Sequence, residues 1–236
     1  MITMRDPRSG RAAKDPGVNL ANLSPDLRAR LRRATACAHE RLHVHPGFAA
    51  AAAGNISLSD YRLLLSRLFG FHKAFEAVLC ERVDEDFRER ARSHLIAADL
   101  QNLGLDRRAI SRIALCDALQ APTSKAEGLG ALYVLEGSTL GGVQIARALQ
   151  PIVPGSDGRG RRFFLGYGER HGAMWRAFVE RLERLAADPD DAAAAESAAV
   201  KTFEAFERWM SGWKAPRSSP SGTCFDLSPR AARPPR

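Results

Sequence analysis

The chain has 236 residues, 45% of them apolar and 26% charged, which is enough to bury the core of one ordinary domain and too few for several. No apolar run approaches the roughly 18 residues needed to cross a bilayer and the N-terminus lacks the apolar stretch of a secretory leader, so the expectation is a cytoplasmic protein without a membrane segment. The formal charge of +8 invites a nucleic-acid partner, but residues 1–23 carry +2 of it and residues 214–236 carry +4, leaving only +2 on the body, and a nucleic-acid function is set aside.

Residues 1–23 are rich in Pro, Gly and Ser without apolar periodicity and are expected to be a disordered extension. A helical domain is expected over 24–213. Ser24-Pro25 supplies a cap and a first-turn proline for a first helix at 25–43, with Leu27, Leu31, Ala34, Ala38 and Leu42 on one stripe. A loop containing Pro46 and Gly54 follows. Ser57 or Ser59 then opens a second helix, in which Tyr61, Leu64, Leu65, Leu68, Phe71 and Phe75 recur every three or four residues up to about Cys80. Further helices are predicted at 84–103, 106–119, 124–149, 169–187 and 190–213, punctuated by Gly104, Pro122, Pro151, Gly155 and Pro189. Residues 214–236, with five prolines, read as a second disordered tail. No segment alternates with period two, so the fold class is all-α, a compact single domain of many helices. Cys37, Cys80, Cys116 and Cys224 form no C-x-x-C pair and are read as reduced thiols.

Two local features exceed what a plain bundle needs. On the first helix, His39 and Arg32 fall on one edge of the apolar stripe, at about 120° and 140° from Leu27. A neutral imidazole there can ligate a metal, with the guanidinium aimed at a carboxylate of the same ligand; equally, it can be a rim histidine bonded to a neighbouring helix. His39-Glu40-Arg41-Leu42-His43 is also a literal H-E-x-x-H, the zinc-hydrolase pattern, but its extended form would need a glycine and a histidine where Pro46 and Ala49 stand.

The second feature is the predicted fifth helix, where Gly128, Gly130, Gly137, Gly141 and Gly142 interrupt an apolar pattern. Five interior glycines cost about 4–5 kcal/mol relative to alanine, so something must offset them. Glycine lets another body approach the backbone, either a second helix or a flat ligand, and the spacing leaves both open. Gly137 and Gly141 are one turn apart, as are Ser138 and Gly142, and Tyr133 precedes Gly137 by one turn on the same side.

Together, L-R-R-A-T-A-C-A-H-E-R-L with Thr35 four residues before His39, Y-R-L-L-L-S-R-L-F-G-F-H-K-A-F, and Y-V-L-E-G-S-T-L-G-G resemble the heme oxygenase family, in particular the bacterial enzymes that accompany phytochromes. The likeness covers most of 24–213. It implies heme b as both cofactor and substrate, with His39 as the proximal iron ligand and a distal face formed by the backbone at Gly137, Ser138, Gly141 and Gly142. Thr35 belongs to the same motif as His39, and Arg32 and Tyr133 would meet the propionates. Arg176 is either a further propionate contact or a surface arginine. Glu136 is expected to point away from the heme.

The resemblance further implies oxygen-dependent cleavage to biliverdin, carbon monoxide and ferrous iron. It also implies electrons from a ferredoxin, flavodoxin or similar donor, and a bacterial phytochrome as recipient of the pigment. The mammalian distal aspartate has no counterpart between Gly137 and Gly142. The alternative in a different class is a heme-binding or heme-sequestering protein without degradation. A di-iron carboxylate oxidase would need a second E-x-x-H beside Glu40/His43, and a thiamin-degrading enzyme of the same fold would need a placed cysteine nucleophile; neither is evident.

Overall fold

The computed structural model describes residues 26–80, 87–155 and 157–212, and among them every regular element is helical. The two basic ends, Ser24-Pro25, Cys224 and Trp213 lie outside the described residues. α1 (Leu27–His43) opens at Asp26, whose carboxylate accepts the Ala29 N–H at 2.5 Å. Its buried arc holds Leu27, Leu31, Thr35 and Ala38, while Ala34, expected in the stripe, is exposed. The arc is thus turned toward Thr35 and the edge that carries His39.

Pro46, expected in a loop, instead begins α2 (Pro46–Ala52). A proline has no N–H to lose at the first helical position, and the His45 ring accepts the Gly47 N–H at 3.2 Å. α3 (Leu58–Leu79) follows the predicted pattern, capped by Ser57 on the Asp60 N–H, with Tyr61, Leu64, Leu65, Leu68, Phe71 and Phe75 all buried.

The helix predicted over 84–103 is divided. Of its described part, α4 (Phe87–Arg90) ends before α5 (Ser93–Asn102), because the Glu76 carboxylate of α3 takes the N–H groups of Arg92 and Ser93, each at 2.7 Å, and the Ser93 hydroxyl. The helix predicted over 106–119 stops as α6 (Arg107–Ser111). The chain beyond it passes over Gly70, where a Cβ would overlap the Ala114 carbonyl, and Cys116 donates its N–H to the Gly70 carbonyl at 3.2 Å.

α7 (Lys125–Ala148) starts at a Ser124 cap that accepts the Glu127 N–H, and the Glu127 carboxylate reaches back to the Thr123 N–H at 2.6 Å. α8 (Arg162–Leu165) was not expected. The buried Asp99 of α5 accepts the Arg162 and Phe163 N–H groups at 3.0 and 2.8 Å and so seats it. The predicted sixth helix is α9 (His171–Glu183) flanked by two 3₁₀ turns, and Pro189 opens α10 (Pro189–Ser211) behind an Asp188 cap.

Two buried clusters make the core. Leu31, Phe75, Leu132, Phe178 and Ala195 belong to one, Leu64, Leu65, Ile96, Leu149 and Phe164 to the other, and α3 and α7 run through both. α10 and α9 each pack on α1 and on α7, whereas α1 and α7 make little backbone contact with each other. The neighbours thereby hold these two helices as the separate walls of a site. No helix among the described residues is long and apolar enough to cross a membrane.

Candidate functional site

The walls touch at Thr35 of α1 and Tyr133 of α7. Thr35 is buried and donates its hydroxyl proton to the Leu31 carbonyl at 2.8 Å. The Tyr133 phenol lies within hydrogen-bonding reach of that hydroxyl and feels Arg32 and Arg28; burial outweighs them and raises the phenol above its ordinary pKa. Its ring leans on Trp175 of α9, centroids 6.3 Å apart.

One turn beyond Thr35, His39 is exposed, and its imidazole meets His43 edge-on with centroids 4.4 Å apart. Desolvation, then His43, hold its pKa below 6.5 against the opposing pull of Glu40. The ring is therefore neutral at pH 7 with a lone pair to give. The two histidines find no third imidazole, thiol or carboxylate among the described residues that would complete a protein-held metal site, so the H-E-x-x-H reading gains no support. Arg32 is exposed on the same edge. Arg176 is exposed on α9, where its guanidinium crosses over Gly172 of the same helix.

The glycines of α7 divide by what lies beyond them. A Cβ on Gly130 would overlap the Ala195 carbonyl of α10, and one on Gly142 would lie 2.5 Å from the Phe164 carbonyl of α8. These two admit neighbouring backbones. Gly142, expected in the distal face, thus also serves packing against α8. At Gly137 and Gly141 a Cβ would meet nothing within 4 Å, so this stretch of backbone is bare on its outer side.

Ser138 borders the bare strip. It is exposed, donates to the Leu135 carbonyl at 2.6 Å and accepts from the Arg92 guanidinium at 3.4 Å. Thr139 is buried, and Leu140 is 52% exposed. Glu136 turns inward. At 1% exposed it pairs with the buried Arg90 at 2.9 Å and accepts the Tyr167 hydroxyl at 2.6 Å. The like charge of Glu136, together with burial, raises the Tyr167 phenol far above its ordinary value.

Arg92, Arg90, Tyr167 and His72, which support this wall from behind, were missed by sequence reasoning. Their signal is faint: Arg90 and Arg92 fall within one predicted helix, 84–103, whereas in the structure that helix breaks at the Glu76 carboxylate and both are buried. A separate cleft of about 410 Å³, bounded by Phe75, Leu119, Pro122, Lys201 and Arg208, contains none of the expected site residues. It lies on another side of α10 from Glu196 and Glu207, which bind α1.

Residues 25–212 match the family described as Heme oxygenase. A heme oxygenase of Xanthomonas campestris pv. campestris (strain 8004) is 32% identical over 158 residues, covering 63% of this chain and 89% of that protein. Three solved structures share the fold. The NO- and CO-bound heme oxygenase of Neisseria meningitidis aligns with a TM-score of 0.62 at 23% identity, over 85% of this chain and 99% of its own. Heme oxygenase of Leptospira interrogans gives 0.66 at 15% identity, over 79% and 98%. Heme oxygenase-1 of the cyanobacterium Synechocystis sp. PCC6803, solved in complex with heme, gives 0.59 at 20% identity, over 79% and 90%.

Proposed function

Because the chain belongs to the heme oxygenase family, enzymes that degrade heme, we propose that it cleaves heme b with dioxygen to biliverdin, carbon monoxide and ferrous iron. The helical domain over 24–213 carries the reaction, without the ends at 1–23 and 214–236, and the setting is cytoplasmic. A ferredoxin or flavodoxin supplies electrons, and a bacterial phytochrome receives the pigment.

The observation that carries this reading is the bare backbone at Gly137 and Gly141 on one wall, with the neutral, unencumbered His39 on the other. A flat macrocycle fits where side chains are withheld, and its iron needs an uncharged nitrogen donor. Bound heme supplies the iron that activates dioxygen and the ring carbon that is attacked. The protein residues bind and orient it. His39 would hold the iron from the α1 side; Arg32 and Tyr133, its phenol within reach of Thr35, would meet the propionates; Gly137 and Gly141 would keep the α7 side free of bulk, with Ser138 at its edge. Arg176 stands as an outer cationic contact only.

Adding hemin, then a reductant and air, tests the reading. The Soret band should form, then fall as a broad red biliverdin band grows. A Soret band that survives would overturn degradation in favour of a heme-binding or heme-sequestering protein.

A further inference from the structure

Arg92, at the break between α4 and α5, is 3% exposed. Its guanidinium donates to the Leu135 carbonyl at 2.7 Å and the Ser138 hydroxyl at 3.4 Å, while Nε has no partner. Among the described residues no carboxylate hydrogen-bonds it. Glu136 of α7 is engaged by Arg90 and Tyr167, and Glu76 of α3 by the backbone of Arg92 and Ser93. His72 of α3 also faces it, kept neutral by burial and by Arg92 itself. A buried guanidinium without a directly bonded anion carries a desolvation penalty that hydrogen bonds to neutral oxygens only partly offset.

The charge is directed at Leu135 and Ser138, on either side of the bare Gly137 backbone. Ser138 now donates to the Leu135 carbonyl, which Arg92 also satisfies, so the hydroxyl can turn its proton outward without orphaning that oxygen. We infer that Arg92 is a positioning residue that, through Ser138, stabilises a small anion held against the Gly137–Gly141 strip. The inference rests on the proposed heme site, where that anion would be a ligand of the bound iron.

The test uses the full chain loaded with hemin, with azide as the probe and the ferric water-to-hydroxide transition followed spectroscopically. Ser138→Ala and Arg92→Met should each weaken azide about tenfold and raise the pH of the transition by about one, and Arg92→Lys should recover part of both. Unchanged azide affinity and transition pH in Ser138→Ala, with the Soret band formed, would overturn the role of the pair even if Arg92→Met fails to fold. A native protein that forms no Soret band with hemin would instead overturn the heme site itself.

Discussion

Gly130 and Gly137 stand two turns apart on one side of α7, about 20° from each other around its axis, yet the first is pressed against the Ala195 carbonyl and the second faces open space. One glycine serves packing and the other serves the site.

Gly130→Ala should therefore destabilise the apoprotein, by about 1–3 kcal/mol for a methyl forced against backbone, measured as a lower urea midpoint. Gly137→Ala should leave the apoprotein unchanged or up to about 1 kcal/mol more stable, since alanine is the better helix former. Gly137→Leu should fold equally well and lose hemin binding or turnover. A Gly137→Leu variant that turns heme over at the native rate would remove the strip from the site.

His39→Ala should abolish the histidyl Soret spectrum, whereas His43→Ala and Glu40→Gln should retain it. This pattern separates a single proximal ligand from the H-E-x-x-H reading, in which loss of either histidine would be equivalent.

The Arg90–Glu136 pair is buried on both sides and shares Tyr167. Removing one partner leaves an uncompensated charge in the core, so Glu136→Gln or Arg90→Met should cost about 3–5 kcal/mol, while Arg90→Met with Glu136→Leu should recover much of the loss. Additive losses in the double variant would show that the two side chains act independently.

Desolvation raises Asp99 from 3.8 to about 6, against the Phe163 and Arg162 N–H groups that favour its charge. With the folded value above the unfolded one, the contribution of Asp99 to stability is fullest below about pH 4 and is lost as the pH rises through 6. Asp99→Asn does not titrate. Relative to the native protein it should gain of the order of 3 kcal/mol between pH 4 and pH 8, read from urea midpoints at the two values. A stability gap that stays constant with pH would refute the shift.

Much of this architecture is local and was legible. The stripes of α1, α3 and α7, a serine cap at 57 or 59 and the all-helical class follow from spacing alone. What escaped was decided at a distance. The 84–103 prediction failed where Glu76, sixteen residues upstream of Arg92, captured two N–H groups. α8 exists because Asp99, more than sixty residues earlier, offers two acceptors. Pro46 and Pro189 were read as breaks, although proline also begins helices. The division among the α7 glycines could not be read at all, because identical residues differ only in which backbone arrives beside them.

The two walls are fastened by unlike forces. α7 is gripped by backbones that approach it at Gly130 and Gly142. α1, besides its buried apolar arc, is tied by carboxylates: Glu183 on its first N–H groups, Glu196 on Arg30 and Glu207 on Arg41. Dissolved ions screen the second kind of fastening and leave the first untouched. Raising ionic strength therefore loosens the outer ties of the imidazole wall alone, while its buried Leu27, Leu31 and Ala38 keep α1 seated in the core.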